Sequence, residues 1–511
     1  MKKTTANTIG RIILFALAVV IQVLWIVFVV FVLRSKYGFV SVIINILSIL
    51  AVLWLVSRDM NPAYKLAWTI LILAVPIAGA VIYLLFGKSW LGSRLEARLN
   101  QAEEQSKDCL KEDPEVRAAL KEISTSALCQ SDYIWKNAGY PVYDHTKTRY
   151  FRSGEEFFPV FLEELEKAEH FIFMEYFIID DGEMWQSVLK VLEKKVKLGL
   201  DVRLIYDDWG CASKMPQTFE WQLKSMGIRC EVFNPLIPVA EIVLNNRDHR
   251  KITVIDGYTA FTGGINLADE YINRIERFGY WKDTAVMLQG EGVWSFTMMF
   301  LKMWSVLAHE NVAYGRYTPH RWHEEPFEGT GYVQPYCDTP LDHETVGENV
   351  YLNIISRAEK YVYIFTPYLI IDNETQTALL LAAKSGIDIR IVTTAIPDKK
   401  AVFLLTQSYY EALIRGGVRI FEYTPGFIHA KCFVCDDTIA TVGSINLDYR
   451  SLYLHFECGV WMYDTEAVMD VKKDAEAVFS ESKEITIEDC EKRNLLQRFG
   501  QSILRLFAPL L

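Results

Sequence analysis

The sequence carries one short motif twice, and its residue types suit the binding of an anion. In each copy a lysine follows a histidine by two positions, an aspartate follows the lysine by five, and an asparagine comes ten positions later. Alternate residues of a strand face the same side, so each histidine and its lysine would share one face. The copies lie 180 residues apart (429 minus 249) and consist of His249, Lys251, Asp256 and Asn266, and of His429, Lys431, Asp436 and Asn446.

The duplication favours a functional site, although a lone His-x-Lys in a strand is usually a surface or core feature. The chain has nine histidines, and two of them have the same neighbours. Two histidines facing each other across a pseudo-twofold axis can act as nucleophile and general acid on one phosphodiester. The lysines and asparagine amides would bind the non-bridging oxygens. Ser444 has Gly264 as its counterpart, so we expect a hydroxyl contact to phosphate from the second copy alone.

The surroundings of the motifs also repeat, which predicts two similar halves. Residues 171–180 (FIFMEYFIID) return as residues 362–372 (VYIFTPYLIID). Short β-branched runs alternate with amphipathic helical stretches, a pattern typical of a parallel sheet flanked by helices. We therefore predict an α/β fold, with a first half over 131–325 and a second half over 326–490, packed as a pseudo-dimer.

Two segments flank these halves. Residues 99–130 are charged and helix-prone, and we expect one connecting helix there. In residues 491–511, leucines and phenylalanines alternate with arginines at helical spacing, which predicts an amphipathic tail. Such a tail either lies on an anionic membrane surface or packs against the catalytic part.

The first 98 residues are typical of a membrane module. Three apolar segments, 12–33, 39–56 and 66–86, are candidate transmembrane helices, and the first has Gln22 as its sole polar side chain. A run of 22 residues is long enough for a bilayer core of about 30 Å. Buried core helices are the alternative. Basic residues flank every segment, so neither the orientation nor the choice between two and three crossings is decided.

The rest of the chain is acidic. Residues 1–98 hold ten basic and two acidic side chains, so the net charge of −11 leaves −19 for the remainder, since −11 minus +8 is −19. An acidic bulk disfavours a general nucleic-acid binder, which must neutralise phosphates with basic residues. We therefore expect no nucleic-acid partner.

Cysteine usage favours a reducing cytoplasm around the catalytic part. All nine cysteines lie beyond residue 98, and their number is odd. Cys432 and Cys435 form a CxxC inside a strand-like run, without a second pair at zinc-site spacing. We expect no metal or redox role for this pair.

The motifs and their surroundings resemble the phospholipase D superfamily, and within it the bacterial cardiolipin synthases with two motifs. The first motif lies in NNRDHRKITVIDG, followed by FTGGINLADEY and GYWKDTAV; the second lies in FIHAKCFVCDD, followed by VGSINLDYRSL and FECGV. Residues 68–87 resemble the membrane module of these synthases, and the final LFAPLL resembles their carboxyl terminus. The resemblance implies two phospholipase D-like α/β halves preceded by N-terminal transmembrane helices.

The same resemblance implies a phosphatidyl transfer between two phosphatidylglycerol molecules, giving cardiolipin and glycerol. In the superfamily, one motif histidine attacks phosphorus to form a phosphohistidine, and the other protonates the leaving alcohol and then activates the acceptor. We assign His249 as the nucleophile and His429 as the acid and base. Lys251, Lys431, Asn266, Asn446 and Ser444 would bind phosphate, with no metal or other cofactor.

Each histidine also needs a carboxylate that fixes its tautomer. Asp283 in YWKDTAV and Glu457 in HFECGV occupy equivalent strand contexts, and the resemblance implies that an acid at this place orients a histidine. Asp256 and Asp436 complete the catalytic motifs, but they end their strands, where we expect them to secure local structure.

Other functions stay open at this point. A membrane phospholipase D would use the same residues with water as the acceptor and give phosphatidic acid. A nuclease is disfavoured by the acidic charge, and an idle scaffold by two complete motifs. The second substrate is phosphatidylglycerol, phosphatidylethanolamine or another alcohol, and the oligomeric state is unknown. We expect a multi-pass protein of the cell membrane whose partners are phosphatidylglycerol and the lipid bilayer.

Overall fold

The computed structural model divides the chain into two compact units. The smaller unit consists of residues 1–94, 236–245 and 503–511, and the larger of 95–235 and 246–502. The residues that the structure describes are 20, 24, 38–58, 60–86, 92–235, 246–323, 327–342 and 344–510.

The smaller unit contains three apolar helices among its described residues, Gly38–Val56, Pro62–Ala74 and Pro76–Phe86, together with the ends of two further helices at 92–94 and 503–510. The single helix predicted over 66–86 is therefore wrong. The chain breaks at Val75, because Pro76 has no N–H to donate and disfavours helical geometry in the residue before it. Leu55, Trp68, Ile72 and Tyr83 form the small core of this unit.

The structure bears on the predicted membrane segments within the residues that it describes. Within these residues, no helix combines the length and the apolarity that a crossing requires. The first candidate, 12–33, lies outside the described residues apart from two positions.

The segment predicted as one connecting helix is three helices instead, Gly92–Ser106, Pro114–Ile123 and Thr125–Ala138. Local capping explains the breaks. The side chain of Asp113 accepts from the Glu115 N–H, and that of Ser124 accepts from the Ala127 N–H. A capped N-terminus starts a new helix at each point.

The first half is built on a sheet of seven strands in the order β1-β9-β7-β6-β2-β3-β4. Its short strands β5 and β8 lie outside that path and pair with the other half. The strands are β1 (Thr146–Phe151), β2 (Phe171–Tyr176), β3 (Asp201–Asp207), β4 (Arg229–Phe233), β5 (Arg247–Asp248), β6 (Lys251–Ile255), β7 (Thr259–Gly263), β8 (Tyr280–Lys282) and β9 (Ala285–Gly290).

The second half repeats this arrangement, with strands in the order β10-β19-β17-β16-β11-β13-β14-β20. β12 and β18 form a separate pair. The strands are β10 (Tyr332–Asp338), β11 (Tyr361–Phe365), β12 (Leu369–Ile370), β13 (Asp388–Thr394), β14 (Arg419–Tyr423), β15 (Gly426–Ile428), β16 (Cys432–Cys435), β17 (Ile439–Gly443), β18 (Leu447–Asp448), β19 (His455–Tyr463) and β20 (Ser482–Ile485).

The sheets are mixed, which corrects the prediction of parallel sheets. β2, β3 and β4 run parallel, but β6 is antiparallel to β2 and to β7. The reason is local: Asp256 and Gly257 both have positive φ (52° and 69°) and turn β6 straight back into β7. A connection this short joins antiparallel strands.

Helices cover both sheets. Val293–Ala308 is apolar on nearly every side and almost wholly buried. The other helices of the two halves are Gly154–Lys167, Glu183–Lys197, Asp208–Cys211 and Phe219–Ser225, then Val346–Arg357, Asn373–Lys384, Lys400–Arg415, Tyr449–Tyr453, Glu466–Ser480, Ile487–Glu491 and Leu495–Phe507.

The halves exchange short strands on both sides of the motifs. β5 pairs in parallel with the start of β19, and β8 pairs in parallel with β15. The residues that follow β5 and β15 are the two motif histidines. Each histidine is therefore positioned by backbone from the opposite half.

Candidate active site

Each motif histidine is bonded to a carboxylate of the other half. Nδ1 of His249 lies 2.9 Å and 3.0 Å from the two carboxylate oxygens of Glu457. Nδ1 of His429 lies 2.7 Å from Oδ2 of Asp283. An ionised carboxylate can only accept, so Nδ1 carries the proton in both rings and Nε2 keeps its lone pair. The sequence identified these acids but not the crossing.

Strand register produces the crossing. In the β5–β19 pair Asp248 lies opposite Phe456, and in the β8–β15 pair Lys282 lies opposite Ile428. The backbone N–H groups of His249 and His429 then donate to the carbonyls of Phe456 (2.9 Å) and Lys282 (2.7 Å). One residue further along each pair, a histidine faces an acid.

The hydroxyl of Ser444 donates to Glu457, so it is not available to donate to phosphate. This differs from the contact predicted from the sequence. The Ser444 Oγ donates to Glu457 Oε2 and accepts from the Cys458 N–H at 3.0 Å. A second hydroxyl, Oγ of Ser451, donates to Glu457 Oε1 at 2.5 Å. In the first half the equivalent Gly264 is necessary, because a Cβ there would collide with the Asp283 carboxylate.

The two lysines are buried beside their histidines. Nζ of Lys251 donates to the carbonyl of His249, and Nζ of Lys431 donates to that of His429. Burial lowers the pKa of Lys251 to about 8 and that of Lys431 to about 7, despite the nearby carboxylates Glu457 and Asp283. A bound anion would stabilise both ammonium groups and raise these pKa values again.

The histidines are neutral at pH 7. Burial, and then the charges of Lys251 and Lys431, lower the pKa of His249 well below its usual value. Burial, and then the charge of Lys431, lower the pKa of His429 to about 4. Because each motif histidine is hydrogen-bonded to the acid that follows the other motif, the motifs form one shared site.

Asp283 is ionised in this site. Burial alone would raise its pKa, but His429 and Lys431 hold the pKa of this carboxyl below its usual value. The backbone N–H of Thr284 donates to Oδ1 at 2.8 Å. Asp283 therefore keeps the charge that orients His429.

The two asparagines are not equivalent. Oδ1 of Asn266 accepts from the Ile178 N–H at 3.0 Å, and its Nδ2 donates to the Tyr271 hydroxyl at 2.7 Å. Oδ1 of Asn446 is buried without a hydrogen-bond partner in the described part of the chain. Asn446 therefore has more of its amide left for a ligand than Asn266 has.

The motif aspartates bind backbone and do not reach the reacting groups. The Asp256 carboxylate accepts from the N–H groups of residues 169–171 at 2.7 to 2.9 Å. The Asp436 carboxylate accepts from those of residues 359–361 at 2.6 to 2.9 Å. Both sit at the far ends of the motif strands, where they fix the starts of β2 and β11.

Ring side chains pack against the histidines, and two of them, Phe177 and His455, were not singled out from the sequence. Phe177 lies 4.9 Å from His249, and Tyr271 lies 5.5 Å from His429, measured between ring centroids. His455 and Trp281 are equivalent, each two positions before an orienting acid, and each lies 5.6 Å from its histidine. This shared position, two residues before Glu457 or Asp283, is the sequence signal that could have identified His455 and Trp281 as site residues.

His455 is the polar member of this pair. Its ring nitrogens are buried and have no hydrogen-bond partner among the described residues. Burial lowers the pKa of His455 to about 3, so the ring is neutral. One half of the site thus has an imidazole that can both donate and accept, whereas the other has an indole N–H that can only donate and is also buried without a partner among the described residues.

One described group could ligate a metal. His249, His455 and Glu457 offer ligand atoms that all lie within 4.8 Å of one another. A metal there would replace the proton between His249 and Glu457, which would remove His249 from proton and phosphoryl chemistry. Cys432 and Cys435 are free and buried in β16.

Comparison with known proteins matches both halves of the chain and part of its N-terminal segment. The family model described as cardiolipin synthase, PLD-like domain, matches residues 161–287 and 351–479, and a phospholipase D-nuclease N-terminal model matches residues 46–88. An uncharacterized protein of Streptococcus mutans is 45% identical over 90% of this chain and 99% of its own length. A cardiolipin synthase of Geobacillus sp. (strain WCH70) is 33% identical over 93% of this chain and 94% of its own length.

Among solved structures, phosphatidylserine synthase from Haemophilus influenzae superposes with a TM-score of 0.57 at 15% identity. The superposition covers 76% of this chain and 98% of the phosphatidylserine synthase chain. At this level of identity, the likeness shows a shared fold and nothing further. The family is instead assigned from the sequence: one domain model matches both halves, and the relatives align over most of this chain and most of their own length. The chain belongs to the bacterial cardiolipin synthase family of phospholipase D-like proteins.

Proposed function

We propose that this chain is a phosphatidyltransferase that joins two phosphatidylglycerol molecules into cardiolipin and releases glycerol. The observation that carries the proposal is the crossed pairing of His249 with Glu457 and of His429 with Asp283. This pairing leaves two Nε2 atoms with lone pairs in one buried, lysine-lined site. The names of the cardiolipin synthases to which the chain is similar support the choice of reaction.

In the first step, Nε2 of His249 attacks the phosphorus of one phosphatidylglycerol. A P–N bond forms and the P–O bond to the headgroup glycerol breaks. The bound phosphodiester anion raises the pKa of His429, so that Nε2 of His429 binds a proton in the substrate complex. It gives this proton to the leaving oxygen, so glycerol departs neutral. Glu457 balances the charge of the phosphorylated His249 ring.

In the second step, a hydroxyl of the second phosphatidylglycerol attacks the phosphohistidine. Nε2 of His429 takes the hydroxyl proton, a new P–O bond forms and the P–N bond breaks. The His249 lone pair returns, His429 is protonated again, and the product is cardiolipin. The two steps balance without any other reactant.

The environments of the two histidines support this division of roles. Glu457 receives hydrogen bonds from two serine hydroxyls as well as from His249, which weakens its pull on the His249 proton. His249 is therefore the harder ring to protonate, as a nucleophile should be. Among the described residues, Asp283 accepts hydrogen bonds from His429 and from one backbone N–H, so His429 is the better proton carrier.

Lys251, Lys431 and the amide of Asn446 are suited to hold the non-bridging phosphoryl oxygens. An anion between the ammonium groups offsets the cost of burying them, and the groups stabilise charge as phosphorus becomes five-coordinate. The side chain of Asn266 would take part through the second hydrogen of its amide.

We also propose that the chain is a multi-pass protein of the cell membrane, with its catalytic part in the cytoplasm. The apolar run of residues 12–33 and the strongly exposed apolar side chains of helix Gly38–Val56 support a lipid environment. Leu47 and Leu53 of that helix are 59% and 61% exposed. Nine free cysteines support a reducing compartment.

The test is to incubate the purified full chain with phosphatidylglycerol labelled in both its acyl and glycerol parts, without added metal. We expect labelled cardiolipin and free glycerol in equal amounts. Phosphatidic acid as the sole lipid product would instead mean hydrolysis, and an unchanged substrate would mean another lipid or alcohol. His249→Ala and His429→Ala are the controls for background enzymes.

A further inference from the structure

The last long helix, Leu495–Phe507, exposes its apolar side chains. Leu495 is 86% exposed, Leu496 79%, Phe499 65% and Ile503 44%. The spacings of three, four and seven between the last three place these side chains on one face of the helix. A surface helix of a globular protein normally buries such a face.

The opposite, polar face is the one that packs against the catalytic part. Gln501 is only 6% exposed, and its Nε2 donates to the carbonyl of Leu404 at 3.2 Å. Just before the helix, Arg493 donates to the carbonyl of Gln407 at 2.6 Å. Both carbonyls belong to helix Lys400–Arg415. The polar contacts thus turn the apolar face outward.

The positive charge of this segment indicates an anionic partner. Residues 492–511 contain Lys492, Arg493, Arg498 and Arg505 and no acidic residue, in a chain whose net charge is −11. A cationic helix with one apolar face suits an anionic phospholipid surface. A symmetric contact between two copies of the helix would bring like charges together, which disfavours a second chain as the partner.

We propose that the helix Leu495–Phe507 lies in the interface of an anionic phospholipid bilayer. Its apolar face enters the acyl boundary by about 5–10 Å, and its arginines stay among the headgroups. This contact is separate from the active site and does not depend on the reaction proposed above. It would hold the catalytic part against the surface that carries lipid substrates.

The test places a fluorescent probe on each face of the helix in the full chain. Phe499→Cys and Gln497→Cys are labelled with NBD in a Cys129→Ser background, because Cys129 is exposed and the other cysteines are buried or partly buried. Each protein is reconstituted into vesicles of phosphatidylglycerol and phosphatidylcholine that carry a nitroxide at a shallow acyl position. Quenching reports which face contacts lipid.

We expect the nitroxide to quench the probe at position 499 at least threefold more than the matched probe at 497. Equal quenching at both positions, or none at 499, would overturn the proposal. If lipid leaves the 499 probe unquenched while probes on neighbouring chains quench each other, a second copy covers the face instead.

A second measurement separates docking from chemistry. In a Leu496→Ser, Phe499→Ser variant, we expect turnover of phosphatidylglycerol in vesicles to fall about tenfold, while turnover of a short-chain soluble form stays within twofold. The control is Leu198→Ser with Trp221→Ser, which removes equally exposed apolar side chains (67% and 70%) from another surface. Equal losses with both substrates, or equal losses in the control, would contradict the docking surface.

Discussion

His249 of the first half is oriented by Glu457 of the second, with Nδ1 2.9 Å from the nearer carboxylate oxygen. The reciprocal bond joins His429 to Asp283 at 2.7 Å. Among the described residues, neither motif histidine is hydrogen-bonded to an acid of its own half. The pseudo-dimer is therefore the smallest arrangement that can hold both histidines in the tautomer that catalysis needs.

Replacing Glu457 by Gln should lower kcat by about 10²–10⁴-fold, because a neutral amide neither fixes the His249 tautomer nor balances its positive charge. KM should change little, since the lysines hold the phosphate. Steady-state kinetics with phosphatidylglycerol would check this, with Glu220→Gln on an exposed helix as the matched control. A Glu457→Gln enzyme within threefold of the original would contradict the role of this pair.

The alkaline limb of the pH profile should come from the lysines. The pKa of Lys431 is lowered to about 7 and that of Lys251 to about 8, so the free site loses its positive charge as the pH rises through these values. We expect kcat/KM to fall above about pH 7. Since arginine stays protonated, Lys431→Arg should move the start of this fall towards pH 8. An unchanged alkaline limb in the Lys431→Arg variant would contradict the assignment of this limb to the lysines.

Asp256 should be important for stability and not for turnover. Its carboxylate accepts three backbone N–H bonds at the start of β2, so Asp256→Ala should lower the free energy of unfolding by about 2 kcal/mol. Asp256→Asn, which keeps one acceptor, should cost less. Chemical denaturation and the specific activity of the folded fraction would measure the two effects. A stable variant that had lost a hundredfold in kcat would show a catalytic role instead.

His455 should take part in substrate binding through its unpartnered ring nitrogens. His455→Phe should lower kcat/KM about tenfold without destabilising the fold, because it removes a buried polar ring that lacks partners. His455→Asn keeps hydrogen-bonding atoms and should retain most activity. Equal activity of the Phe and Asn variants would mean that the ring only packs against His249.

Periodicity and repetition were sufficient to predict two similar halves and to single out the candidate reacting residues. The offset of 180 residues related two histidines and two lysines that the fold brings into one site. The equivalent positions of Asp283 and Glu457 could also be recognised from the sequence. These features are local patterns, so a single sequence displays them.

Tertiary pairing determined the rest. Which acid meets which histidine depends on the exchange of β5 and β15 between halves, and no local pattern records that exchange. Ser444 was predicted to be available for phosphate, because its hydrogen bond to Glu457 joins residues that lie 13 positions apart in the sequence.

The helix break before Pro76 could have been predicted from the sequence, since a proline inside an apolar run commonly ends a helix.

The most direct test of the central claim is to trap the covalent intermediate. The full chain would be mixed with phosphatidylglycerol, quenched within one turnover, and digested for mass spectrometry under conditions that preserve phosphohistidine. We predict a phosphatidyl group on His249, absent from His249→Ala and formed more slowly in Asp283→Asn, where proton transfer by His429 to the leaving glycerol is impaired. A phosphatidyl group on His429, or product formation by His249→Ala, would contradict the account.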